Sequence, residues 1–149
     1  MKIMITGGAG FIGSQLGYSL AKEGYDVFLL DNMSYGHKDN LLIGGEDFGT
    51  FIHEDVRSDN LYKHLRGMDC VFHFAGIAPL PNCQENPYEA IDVNVAGTAN
   101  VLETCRRQGV NKFSLGCTLK SNNMLNWYAK TSLKDGFKKV TQYAKMLEK

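Results

Sequence analysis

The sequence predicts an α/β fold: a doubly wound parallel sheet of about five strands with a C-terminal amphipathic helix. Three observations predict it. Short apolar runs alternate with longer amphipathic ones, the rhythm of strands joined by crossover helices. Three glycines close the first apolar run and open the first amphipathic one. The second apolar run ends in an acid. With right-handed crossovers the strand order is 3-2-1-4-5.

KIMIT (2–6) is a short strand closed by glycines. FIGSQLGYSLAKEG (11–24) places Phe11, Ile12, Leu16 and Leu20 at helical spacing, and Gly24 ends it. YDVFLLD (25–31) reads as a buried second strand. Residues 34–48 are rich in glycine and polar groups, a long loop with one helical turn around Leu41–Ile43. GTFIHEDV (49–56) holds a third strand, and SDNLYKHLRG (58–67) a helix with Ser58 as N-cap and Gly67 at its end. DCVFHFAG (69–76) is the fourth strand. Residues 86–110 form a long helix, with Pro87 suited to its first turn and Gly109 to its end. NKFSLG (111–116) is the fifth strand.

The chain of 149 residues is one domain's worth. Acids and bases balance at 16 each, so no global field favours nucleic acid or an anionic membrane. Cys70, Cys83, Cys105 and Cys117 include no CxxC pair, and no metal site is expected. They read as reduced, mostly buried thiols. The N-terminal apolar run is too short for a signal peptide or a membrane span, and a cytoplasmic location follows as the expectation.

The chemistry is concentrated at TGGAGFIG (6–13). Gly7 permits a tight turn, Gly10 lets backbone approach a pyrophosphate, and Gly13 lets the helix pack against the strand. Phe11 and Ile12 open the helix, whose free N–H groups and positive dipole end face the phosphates. Asp31 ends the second strand, where a carboxylate accepts hydrogen bonds from an adenosine ribose and repels a 2′-phosphate. NAD is therefore expected over NADP, a preference that His37 and Lys38 soften. The bland alternative for Asp31 is a cap on the turn Asn32–Ser34. Asp55 follows the third strand, facing an adenine or serving as a turn residue. His73, Phe74, Ala75 and Gly76 end the fourth strand. Small residues there let backbone pass close to a cofactor, whereas His73 reads as a packed core histidine.

TGGAGFIGS (6–14), LLDNMSYG (29–36), EDVRS (54–58), VFHFAG (71–76) and NVAGT (94–98) together resemble the extended short-chain dehydrogenase/reductase family, in its nucleotide-sugar epimerase and dehydratase branch. The resemblance covers residues 1–118. It implies a Rossmann domain holding NAD, with Asp31 at the ribose, Asp55 and Val56 on the adenine, and Asn32 also among the cofactor-binding residues. Phe74, Ala75 and Gly76 would run along the cofactor's inner half, and Asn94 would hold the site near the nicotinamide.

The family's plan then breaks. Thr118 falls where the family has a serine or threonine that polarises the substrate. The family's YxxxK pair should follow, because a phenol is a poor base at neutral pH without a neighbouring cation. Tyr128 is instead followed four residues later by Ser132. YSLAK (18–22) has the spacing but lies on the first helix, where Tyr18 reads as packing and Lys22 as solvated. Residues 125–149 resemble the family's closing segment. Ser132 is an N-cap, and Phe137, Val140, Tyr143, Ala144 and Leu147 form one apolar face. The expectation is a single domain: a cofactor core at 1–118, a connecting loop at 119–131 and a helix at 132–149, with the family's middle deleted. An open sheet edge or that last helix would then support a homodimer. Three functions compete: an NAD-binding module without the full catalytic machinery; an oxidoreductase or sugar-nucleotide epimerase using Thr118, Tyr128 and Lys130 or a second subunit; or a non-catalytic interaction subunit or decayed gene product.

Overall fold

The computed structural model describes residues 1–43, 45–78 and 80–116. Met1–Gly116 form one compact unit. The expected features at Cys117, Thr118, Tyr128, Lys130 and Ser132, the connecting loop and the final helix lie outside the described residues.

Five parallel strands form the main sheet: β1 (Lys2–Thr6), β2 (Asp26–Asp31), β5 (Thr50–His53), β6 (Cys70–His73) and β7 (Lys112–Leu115). Their order is β5-β2-β1-β6-β7. Numbered by their own succession this is 3-2-1-4-5, as the alternation predicts. The register sets Thr6 beside both Leu30 and His73, Asp31 beside His53, and His73 beside Leu115. All five carboxyl ends therefore open on one edge.

Burial on both faces explains why β1 reads as a continuous apolar run: Ile3, Met4 and Ile5 are all fully buried. On one face Met4, Leu30 and Val71 pack with Leu61 and Leu65 of α2 (Leu61–Leu65) and with Val101 and Cys105 of α5 (Thr98–Gln108). Each such aliphatic side chain contributes about 1.5–3 kcal/mol relative to exposure. α1 (Phe11–Lys22) approaches so closely that a Cβ at Gly17 would come within 2.8 Å of Leu29 Cδ2. Cys70 and Cys105 are buried free thiols, and Cys83 is half-buried. Burial pushes the Cys70 and Cys105 thiols up to about 11, so both stay protonated at neutral pH.

Several boundaries differ from expectation. The helical turn in the long loop is a 3-10 turn at Lys38–Leu41, not around Leu41–Ile43. Leu42–Ile43 instead pair antiparallel with Glu46–Asp47 as β3 and β4, a small hairpin whose tight link uses Gly45 at φ +83°. Ser58 is not the N-cap of α2. The helix starts later, after Asn60, and the Ser58 hydroxyl accepts from the Asn60 N–H at 3.1 Å in a local turn. A short helix α3 (Leu80–Glu85) was not expected.

The long helix is three consecutive pieces. α4 (Pro87–Ile91) opens with Asn86, whose side chain accepts from the Glu89 N–H while its amide reaches the Glu89 carboxylate. A π-helical wide turn follows at Asp92–Gly97, then α5. Apolar periodicity detects the helical run but is blind to one wider turn inside it. Tyr18 packs edge-on against Phe48, its ring 5.6 Å away, so it is a packing residue. Lys22 is exposed, as expected, with its ammonium 4.6 Å from the Tyr18 ring centre.

Candidate functional site

One cleft opens where the strands end. It is lined by Gly7 and Gly10 of the glycine loop after β1, by Asp31 at the end of β2 and Asn32 and Tyr35 beyond it, by Val56 and Arg57 after β5, and by residues 74–77 after β6. This is the edge at which open α/β sheets bind ligands.

The glycine loop is shaped by the absence of side chains. Gly7 has φ +70°, and a Cβ on it would lie 2.7–2.9 Å from the backbone of Phe74 and Ala75. A Cβ on Gly13 would overlap the Gly7 carbonyl oxygen. A Cβ on Gly10 would meet only the Gly7 oxygen, at 3.1 Å. Gly7 and Gly13 therefore set the fold of the loop, whereas Gly10 keeps its cleft side open. The loop ends at the N-terminus of a twelve-residue helix.

Asp31 is buried at the end of β2, yet it lines the cleft. Its oxygens accept from the Ala9 N–H at 3.0 Å and the Met33 N–H at 2.8 Å. It thus ties the glycine loop to the turn after β2 and keeps one acceptor direction on each oxygen. Met33 is held left-handed at φ 63°, a strained conformation costing on the order of 1 kcal/mol. Gly36 was missed by sequence reasoning. A Cβ there would lie 2.7 Å from Ala9 Cβ and 2.9 Å from Asp31 Oδ1. Only the SYG triplet hinted at it.

Asp55 does not itself line the cleft. Its carboxylate accepts from the Arg57 backbone N–H, Nε and Nη2 and from the Asn32 amide, all at 2.8–2.9 Å. Those donors hold its carboxyl far below the usual range. Arg57 reaches on to Asp92 at 2.8 Å. Arg57 thus faces the cleft pinned by two carboxylates, which EDVRS had not suggested. The Asn100 side chain donates to the carbonyls of Val56 and Ser58, fixing the same segment to α5.

At the inner end, Asn94 Nδ2 donates to the Ile77 carbonyl at 2.9 Å, and Oδ1 accepts from the Ile77 N–H at 2.8 Å. This long-range pair excludes the reading of Asn94 as a helix residue bonding locally. A Cβ on Gly76 would crowd Asn94 Oδ1 at 2.9 Å. Of the expected residues, Gly7, Gly10, Asp31, Asn32, Val56, Phe74, Ala75 and Gly76 line the cleft. Gly13, Asp55 and Asn94 support its walls. Phe11 is largely exposed and Ile12 half-buried at the start of α1. His73 is fully buried, and burial lowers its imidazole to about 4, so it is neutral in the fold.

The fold and cleft define the class: an open, doubly wound α/β domain with a glycine-shaped ligand cleft at the carboxyl edge. The profile of the NAD dependent epimerase/dehydratase family matches residues 3–135. The chain belongs to that family. It is 33% identical over 120 residues to a UDP-glucose 4-epimerase of Klebsiella pneumoniae, covering 76% of this chain and 86% of that one. It is 38% identical over 110 residues to UDP-glucuronic acid decarboxylase 1 of Danio rerio, covering 72% of this chain and 25% of that protein. The crystal structure of Thermus thermophilus UDP-glucose 4-epimerase in complex with NAD superposes with a TM-score of 0.67 at 34% identity, over 76% of this chain and 36% of that one. The chain spans about a third or less of the length of several curated relatives that it matches.

Proposed function

We propose that the chain binds NAD in this cleft and acts as a cofactor-binding module, without by itself turning over a sugar nucleotide. The observation that carries the reading is the glycine loop, where a side chain at Gly7 or Gly13 would strike backbone and Gly10 stands open beside a helix N-terminus. The donor set fits a dinucleotide. The loop would take the pyrophosphate, Asp31 and Asn32 the adenosine ribose, and Val56 the adenine. Phe74, Ala75 and Gly76 would flank the inner half, held in place by Asn94. When bound, NAD supplies a hydride acceptor. This chain's residues orient the cofactor and exclude a 2′-phosphate through Asp31. The catalytic half of the reading rests on the sequence, in which Tyr128 lacks a lysine four residues on.

Calorimetric titration with NAD and with NADP, after any copurifying cofactor is removed, tests it. NAD should bind saturably and NADP at least about tenfold more weakly, consistent with a repelled phosphate beside a carboxylate. Gly10→Val should abolish binding while the protein stays folded. Binding of neither nucleotide overturns the reading. A second reading, turnover with Thr118, Tyr128 and Lys130, draws on the family match, which runs past all three. It requires conversion of a UDP-sugar or NADH that is lost in Tyr128→Phe.

A further inference from the structure

His73 sits between the two anchors of the segment after β6. One anchor is Thr6, whose hydroxyl accepts from the Ala75 N–H at 3.3 Å. The other is Asn94, which holds both backbone groups of Ile77. Resting on the dinucleotide reading above, we propose that His73 is a positioning residue for the inner half of the cleft. It joins these anchors through a hydrogen-bond chain that runs in one direction.

The direction follows from counting protons. The Thr98 hydroxyl donates its single proton to the Asn94 carbonyl, at 2.7 Å. Toward His73 Nε2, 2.9 Å away, the same oxygen can therefore only accept. Nε2 must carry the hydrogen. A neutral imidazole then leaves Nδ1 as an acceptor, and the Thr6 hydroxyl, 2.6 Å away, donates to it. Thr6 in turn accepts from Ala75. Every group passes its proton the same way, from the Ala75 amide through Thr6, His73 and Thr98 to the Asn94 carbonyl. The opposite tautomer would break this order. Thr6 would face two donors with its own proton unplaced, and Thr98 would have to surrender Asn94 to serve Nε2.

A packed histidine with satisfied nitrogens needs only two partners. Here both partners lead on to the same cleft-lining segment from opposite ends. Asn94 lies in the wide turn Asp92–Gly97, and the Thr98 hydroxyl supplies a side-chain partner to its carbonyl. His73 thereby fixes the rotamer of Thr98, Thr98 the Asn94 backbone, and the Asn94 side chain the Ile77 backbone. Released from this chain, Phe74–Ile77 would keep its strand anchor at Phe74, bonded to Thr6 O at 3.0 Å, but lose its set at Ile77.

The test uses the full chain, with and without ligand. Nitrogen-15 spectra should show His73 as the neutral Nε2–H tautomer at pH 7. Hydrogen exchange at the Ile77 amide should quicken about tenfold in Thr98→Val, the size expected for one lost hydrogen bond, with Ile5 in β1 unchanged. Thr98→Ser, which keeps the hydroxyl, should restore it. His73→Asn, which reaches Thr6 but not Thr98, should do the same as Thr98→Val, and His73→Gln, which reaches Thr98, should not. NAD affinity should fall about tenfold in Thr98→Val, with ADP affinity within about twofold of the original. An Nδ1–H or charged imidazole, unchanged Ile77 exchange in Thr98→Val, or equal losses of NAD and ADP would overturn the proposal. A protein that binds no NAD would overturn the dinucleotide reading alone, since the tautomer and Ile77 exchange decide the positioning role without ligand.

Discussion

The two ends of the cleft are built on different principles. The outer end, around the glycine loop, is fixed by steric exclusion: backbone meets backbone because no side chain intervenes. The inner end, around Phe74–Ile77, is fixed by side chains, with Asn94, Thr98, Thr6 and His73 each holding a backbone group or one another. Steric fixing is rigid and insensitive to pH or salt, but intolerant of any added atom. Hydrogen-bonded fixing tolerates conservative exchange, but depends on each member's protonation and orientation.

The largest effect should come from Gly13→Ala. Its methyl would overlap the Gly7 carbonyl, and overpacking against backbone of this kind costs about 3 kcal/mol. Thermal denaturation should show a fall on the order of 10 °C. Gly10→Ala should barely move the transition, because it meets a single oxygen at 3.1 Å. Equal losses at the two positions would break the distinction between loop-shaping and ligand-facing glycines.

The next effect tests the inner end by pH. His73 falls from 6.5 to about 4 in the fold because burial disfavours its charged form. Below pH 6.5 the unfolded chain therefore binds the extra proton first, and stability declines as the pH drops toward 4. The full loss is on the order of 3 kcal/mol. Asp55, whose carboxyl is lowered, contributes stability that persists down to about 3.8 and is lost only below it, so the windows separate. Urea unfolding at pH 7 and 4.5 should show the decline, and His73→Gln should flatten it. No decline in the original protein would mean that His73 is not held neutral.

Asn94→Ala should follow in size, at about 1.5 kcal/mol for two hydrogen bonds at a partly open site, measured by the same unfolding. The smallest effect belongs to Asp92→Asn. It neutralises a half-exposed partner of Arg57, a charge worth about 0.5 kcal/mol, and the difference should shrink in high salt. A larger and salt-independent loss would mean that Arg57 depends on both carboxylates to hold its place on the cleft wall.

Much of the fold was legible because it is carried by local signals. Apolar runs bounded by glycine gave all five strands of the sheet and their order. Gly24 and Gly109, with φ of 87° and 73°, mark helix ends where the sequence puts them. The hairpin at 42–47 was illegible because two-residue strands have no period to detect. The cap at Ser58 failed because its hydroxyl served a local turn instead of the helix.

What the sequence by itself determined is the loop of glycines, the acid at the end of β2 and the alternation that sets the sheet. Each depends on residues adjacent in the chain or on a period within one element. Only the tertiary structure decided that Asn32 reaches Asp55, 23 positions away, that Arg57 crosses 35 positions to Asp92, and that His73 links Thr6, 67 positions away, to Thr98, 25 positions away. These contacts depend on which atoms the parallel register and the wide helical turn bring within 3 Å, and a hydrogen bond has no sequence period by which to announce its partner.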